Sequence, residues 1–250
     1  MGYPTKGENH HSGIKNEKDI VLHQNQNPNN AINNRIKTDN NTSLIVKWEH
    51  RGGTQLKEDA VAIIDNKHLG ISIKNHKEGS FDWINTTKNV PKELKESITA
   101  FKEKNKDKDV TKELRDEVSE IIDSYLETLD PMIISNMLND IYDKYPPYIL
   151  INIQNDKKFI MFSRENLKQL FNKNNSFILK KTRAKSSRQL WLKTENGEIN
   201  TNLRIRLNNG VNALLGKSKS NKSSTPSIKI QQDNVDKFIE SCLDKTTYLY

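Results

Sequence analysis

Lys57-Glu58-Asp59-Ala60-Val61-Ala62-Ile63-Ile64-Asp65-Asn66-Lys67-His68-Leu69-Gly70-Ile71-Ser72-Ile73-Lys74 carries two short apolar runs separated by a polar tetrad. Apolar runs of this length around Asp-Asn turn chemistry predict a β-hairpin. With Asp65–His68 as the loop, Ile64 faces Leu69, Val61 faces Ser72 and Asp59 faces Lys74. Facing residues lie about 4.5–5.5 Å apart at Cβ. Side chains alternate along a strand, so Ser72 and Lys74 share one side and Ile71 and Ile73 the other. A carboxylate, a hydroxyl and an ammonium are thus expected at one end of one hairpin. On spacing alone the charged pair is an exposed cross-strand salt bridge, weakly stabilising. A loop of another length breaks this pairing.

The flanks add to this pattern. Trp48-Glu49-His50-Arg51-Gly52-Gly53-Thr54 precedes the hairpin, and Lys74-Asn75-His76-Lys77-Glu78-Gly79-Ser80-Phe81-Asp82-Trp83 closes it. Together these words resemble the core of the PD-(D/E)xK nuclease superfamily, and within it the type II restriction endonucleases. Asp59 matches the motif Asp and Lys74 the motif Lys, while Ser72 stands where an Asp or Glu is expected and no Pro precedes Asp59. Gly13-Ile14-Lys15-Asn16-Glu17 resembles the opening helix of these enzymes, whose acidic residue can face the metal site. Residues 208–216 and 227–232 carry further similar words; the likeness is thin over 92–147. The resemblance implies an α/β restriction-endonuclease-like fold, a central mixed sheet flanked by helices. It also implies Mg²⁺-dependent cleavage of double-stranded DNA by a homodimer. Asp59, Ser72, Lys74 and Glu17 would form the catalytic set, with Asp59, Glu17 and the backbone carbonyl of Ile73 on the metal.

Phosphodiester hydrolysis needs an activated water, neutralised phosphoryl oxygens and a protonated leaving oxygen. Mg²⁺ is hard, retains several waters and is held by one or two carboxylates plus phosphate oxygens. Lys74 would position or help deprotonate the attacking water and stabilise the transition state. Ser72 can hold a water but supplies no charge. It therefore also supports a competing reading, a noncatalytic DNA-binding protein on a decayed nuclease core. Asp39 is a rival for the motif aspartate, ranked lower because no apolar strand follows it until Leu44-Ile45-Val46.

Forty Lys and Arg against 32 Asp and Glu leave a net charge of +8, which favours a polyanionic partner. Cationic side chains gather in two loops, one with Lys181, Arg183, Lys185 and Arg188, the other with Lys217, Lys219 and Lys222. Such loops suit phosphates. Arg204 and Arg206 alternate onto one side of a strand, and Arg can read guanine. The single cysteine, Cys242, excludes an internal disulfide and a cysteine zinc site. Without a run of 18 apolar residues or a signal core, an intracellular, non-secreted protein that does not enter a membrane is expected.

Residues 1–250 are expected to form a single nuclease domain. Within it, 14–90 begin the catalytic core, 91–146 form a helical segment (helices around 92–145) and 147–250 supply the second half of the sheet with its cationic loops. A helix is expected from Ile14, a loop over the Asn-rich residues 23–43, a helix from Ser163 to about Phe171 and a last helix from Asp233.

Overall fold

In the computed structural model, which describes residues 6–51, 58–77, 80–86, 90–168, 176–183, 186–207 and 227–250, the hairpin turn is only two residues long. Asp65 (φ 45°) and Asn66 (φ 64°) are both left-handed, the conformation that two-residue hairpin turns require and that Asp and Asn tolerate. Strands β2 (Ala60–Ile64) and β3 (Lys67–His76) pair antiparallel, with Ile64 opposite Lys67, Val61 opposite Gly70 and Ala60 opposite Ile71. The register differs by two residues from the one expected of a four-residue loop. Asp59 therefore comes opposite Ser72, not Lys74. A shift of two preserves the side on which each side chain lies, so the apolar alternation is satisfied by either register.

Four strands join the hairpin: β1 (Lys47–His50), β5 (Tyr148–Ile153), β6 (Lys158–Ser163) and β11 (Thr246–Leu249). The six-stranded order is β1-β2-β3-β5-β6-β11, with β3 and β5 parallel and the other pairs antiparallel, as expected for a mixed sheet. One face is covered by helices α1 (Lys6–Gln26) and α2 (Ala31–Asp39). Ile20, Val21, Ile32 and Ile36 pack there on Trp48, Ala60, Ala62, Ile71, Ile73 and Leu150.

The loop expected over 23–43 is thus largely helical, and its asparagines build the structure. Asn30 caps α2 by accepting from the Asn33 amide at 2.9 Å. The fully buried Asn33 donates to the Gln24 and Asn27 carbonyls, both at 3.0 Å, and accepts from the Trp48 indole at 2.7 Å. Buried amides with every contact satisfied cost little to bury.

The chain divides into two compact units where one domain was expected: Met1–Phe81, Ile141–Gln169 and Asp236–Tyr250 form the first, Asp82–Asp140 and Leu170–Val235 the second. The first holds the six-stranded sheet and, on the face opposite α1, Phe238 of α6 (Val235–Ser241) edge-on to Phe162 at 5.6 Å. The expected helical segment is α3 (Lys92–Asn105), α4 (Lys112–Thr128) and α5 (Pro131–Lys144). Leu114, Val118, Ile122 and Leu126 form the buried stripe of α4, at helical spacing.

The second half of the chain does not simply extend the first sheet. Strands β4 (Phe81–Thr86), β7 (Ser176–Lys181), β8 (Ser187–Thr194), β9 (Gly197–Leu207) and β10 (Ile228–Gln232) form a separate five-stranded sheet, ordered β4-β10-β9-β8-β7. After Ser163 the described residues form a 3-10 turn, Arg164–Leu167; the expected continuation to Phe171 falls outside the described residues past Lys168. Among the described residues no helix is long and apolar enough to cross a membrane.

One electrostatic network ties the C-terminal segment to the rest of the first unit. Asp244 accepts from Arg35 at 3.1 Å, from the Ser163 amide at 3.4 Å and from the Asn166 side chain. Burial pushes its carboxyl up, but the hydrogen bonds and the Arg35 charge outweigh it, holding the pKa below the ordinary 3.8. A depressed folded-state pKa gives stability that is present above the unfolded value and lost as pH falls through the folded one. Asp244→Asn is therefore expected to lower the melting temperature at pH 7 and to flatten the acid limb of the Tm–pH curve below about pH 4. Parallel curves for the two proteins would contradict this.

Candidate functional site

Three alternate positions of β3 point to the side of the sheet away from α1 and α2: Gly70, Ser72 and Lys74. The opposite parity, Ile71 and Ile73, lies in the helix-covered core. The first residues to meet this row come from the turn into β2. Asp59 Oδ2 accepts from the Ile73 amide at 2.6 Å and from the Ser72 hydroxyl at 3.2 Å. Its own amide donates to the Ile71 carbonyl at 2.9 Å. Backbone and side chain are thus both fixed against β3. Ser72 is buried at 1% exposure, so its hydroxyl is aimed by the strand and not by solvent.

Lys74 lies two residues beyond Ser72 on the same side, with Nζ 5.5 Å from the centroid of the Tyr145 ring. A cation near an aromatic face gains electrostatic attraction, which orients the ammonium. At the other end of the row, a Cβ built on Gly70 would come 2.6 Å from Glu58 Oε2 and 2.9 Å from Pro146 Cβ. The Glu58 carboxylate therefore rests over Gly70, a placement its nearness in sequence to Asp59 did not suggest. The signal available for it was a lone glycine inside an apolar strand, which marks close approach by another group.

Asp59, Ser72 and the Ile73 backbone are brought together, with Lys74 alongside; it is the Ile73 amide that contacts Asp59. Glu17 is not part of this group. Its Oε2 is 2.9 Å from His50 Nε2. His50 lies two residues from the core residue Trp48, on the same side of β1, and pairs with Ala60, which places it on the side facing α1. The rival Asp39 ends α2, where Arg35 Nε binds both carboxylate oxygens, at 2.7 and 2.8 Å, and the Tyr148 hydroxyl donates at 3.0 Å. Burial, with that bond to Asp39, raises the Tyr148 phenol to about 12. Asp39 is thus committed to holding α2 on the sheet.

The donors of the row, two carboxylates and a hydroxyl, are hard oxygens, and Asp59 keeps a second oxygen beyond the one bound to Ile73 and Ser72. Among the described residues no group of three or more His, Cys, Asp or Glu could enclose a metal ion. Such a set suits a hard divalent cation that retains water and borrows ligands from a phosphate, and not a caged structural ion.

The cationic residues fare differently from one another. Arg188 is the second residue of β8 and points inward: it is 2% exposed, with Nη2 2.7 Å from Asp123 Oδ1 on α4. A guanidinium so placed is a structural ion pair, which removes it from the set of phosphate contacts. Lys181 is exposed but paired with Glu127 and lies 3.9 Å from Asp123. Arg183 is exposed. Arg204 and Arg206 do share one side of β9, opposite Gln231 and Lys229. Arg204 Nη2 is 3.0 Å from Asp233 Oδ1. Burial raises the Asp233 carboxyl pKa in spite of that neighbour. Lys185, Lys217, Lys219 and Lys222 lie outside the described residues.

Fold and site together define a mixed α/β protein with an acid, a hydroxyl and a lysine aligned on one side of its six-stranded sheet. No family model and no curated protein matches the sequence. Among solved structures, HhaI endonuclease in complex with DNA is weakly similar, with a TM-score of 0.28 and 11% identity over 88% of this chain and 86% of that one. Similarity at that level does not establish a common backbone, so any functional reading stands on the chemistry of the site itself.

Proposed function

We propose that this chain is a divalent-cation-dependent endonuclease that hydrolyses double-stranded DNA, of the type II restriction kind, acting at a specific sequence and as a homodimer. The observation that carries the reading is the Asp59 carboxylate held by the Ile73 amide at 2.6 Å, on the same side of β3 as Lys74. Mg²⁺, when bound, supplies Lewis-acid stabilisation of charge on phosphorus-bound oxygens. Asp59 provides the anchoring charge, and its fixed orientation means that little reorganisation accompanies binding. Lys74 orients the attacking water and donates toward the oxygen on which negative charge develops. Ser72 holds one Asp59 oxygen in place. A homodimer presents two such sites to the two strands of a duplex.

The test is incubation of supercoiled plasmid with and without Mg²⁺, followed by sequencing of the ends. Mg²⁺-dependent nicking or linearisation at one sequence is expected. DNA retention without cleavage at any Mg²⁺ or Mn²⁺ concentration would favour the second reading, a noncatalytic DNA-binding protein, for which a neutral Ser72 beside Asp59 is the specific support. Neither cleavage nor retention would dismiss both.

Charge makes a separate prediction. Each phosphate contact contributes about −0.9 to the slope of log K against log salt. Replacing Lys217, Lys219 and Lys222 together by Ala is expected to reduce that slope by roughly 2–3 without changing the preferred sequence. Arg204→Ala should instead relax the preference. An unchanged slope in the triple variant would show that this loop makes no phosphate contact.

A further inference from the structure

We propose that Glu58 is the second carboxylate of the cation site, acting from its seat over Gly70 beside Ser72 and Asp59; the inference rests on the nuclease reading above. Mg²⁺ site chemistry uses one or two carboxylates. Asp59 alone leaves most of a divalent charge uncompensated, and Ser72 adds none. Glu58 reaches the same side of β3, because its Oε2 occupies the space that a Cβ on Gly70 would need, 2.6 Å away.

Two features set Glu58 apart from a surface glutamate. The first is the room made for it. Gly70 is buried and is not among the residues with left-handed backbone, so the position does not demand glycine for conformation. Glycine weakens a strand interior, and it is used where another group must come close. Here the close groups are the Glu58 carboxylate and Pro146, and Pro146 follows Tyr145, whose ring lies by Lys74. The row Gly70, Ser72, Lys74 is thus lined in order by Glu58, Asp59 and Tyr145.

The second feature is its lack of partners. Glu58 is half-buried and makes no hydrogen bond or ion pair among the described residues. Among the described residues Glu49 is paired with Lys47, Glu17 with His50, and Asp59 is bound by Ile73 and Ser72. A partly desolvated carboxylate without a partner is unfavourable, and a cation beside it removes that cost. Positions two apart along a strand are separated by about 6.6 Å. Over a span of that order, Asp59 would hold a Mg²⁺ ion and Glu58 would add its charge through the water that the ion retains.

Calorimetric titration of the full chain with MgCl₂, without DNA, tests this apart from cleavage. Glu58→Gln keeps the shape that fits over Gly70 and removes only the charge. It is expected to bind Mg²⁺ about tenfold more weakly, the lower end of the range for loss of an outer-shell partner, with an unchanged or higher melting temperature. Gly70→Ala, which pushes the carboxylate aside, should weaken Mg²⁺ in the same direction. If Gly70→Ala does not fold, Glu58→Gln decides alone. Equal Mg²⁺ affinity in wild type and Glu58→Gln overturns the inference and leaves Glu58 as a space filler, while the nuclease reading stands. A wild-type chain that binds no Mg²⁺ overturns both together.

Discussion

Asp59→Asn is expected to abolish cleavage, by about 10²–10³-fold or more, while the protein stays folded and retains DNA. The size follows from removing preorganised negative charge, and the preserved fold from what the side chain otherwise does. An asparagine oxygen can still accept from the Ile73 amide, now bound at 2.6 Å, and from the Ser72 hydroxyl at 3.2 Å. Asp59→Ala differs on the second count. It leaves the Ile73 N–H without its acceptor beside a buried strand, at a cost of about 1–3 kcal/mol in stability. Activity loss shared by both variants, with destabilisation confined to the alanine, separates the chemical role of Asp59 from its structural one. Lys74→Ala should lose activity comparably, since Tyr145 orients the ammonium but cannot replace it. Near-normal plasmid cutting by Asp59→Asn, measured at saturating Mg²⁺, would remove Asp59 from the catalytic set.

The hairpin was legible because two apolar runs around Asp65-Asn66 admit few alternatives. Its register was not, since alternation fixes the side of each residue but not the offset. Only the turn conformation decides the offset, and the left-handed pair Asp65 and Asn66 uses two residues where four were expected. The helices between Lys92 and Lys144 were legible from stripes such as Leu114, Val118 and Ile122. The Asn-rich stretch before β1 was not. Asparagine favours turns by local propensity, and its use as a buried connector between Gln24, Asn27 and Trp48 depends on contacts far along the chain. The separate second sheet was hidden for a similar reason: strand order is a property of pairing, and β4 joins β10 across more than a hundred residues of sequence. At the site, Asp59, Ser72 and Lys74 could be grouped from spacing. Glu17 could not be placed, because a helix pattern does not say which neighbour its acid meets, and that neighbour is His50.

Arg188 carries the largest expected effect on stability, and it reverses the role its sequence suggests. Arg188→Met is expected to destabilise the protein by about 3–5 kcal/mol, because it strands the Asp123 carboxylate. The pair is well formed: Nη2 is 2.7 Å from Asp123 Oδ1 and 3.2 Å from the Asp123 carbonyl, and Nη1 donates to the Ser187 carbonyl at 3.1 Å. Asp123 is 16% exposed and Arg188 2%, so water cannot replace the guanidinium fully. Lys181, 3.9 Å from Asp123, offers partial compensation and sets the expectation toward the lower end. For a chain of this length such a loss lowers Tm by roughly 6–12 °C. Removing both charges should recover most of it, since a buried ion pair exchanged for apolar side chains of similar volume is often close to neutral. Arg188→Met with Asp123→Leu is thus expected to melt near wild type while Arg188→Met alone does not. DNA affinity of the double variant should match wild type, because the guanidinium faces α4 and not solvent. The opposite pattern, an unchanged Tm for Arg188→Met with a weakened and less salt-dependent DNA complex, would return Arg188 to the phosphate-binding surface and displace the ion pair as the reason for its burial.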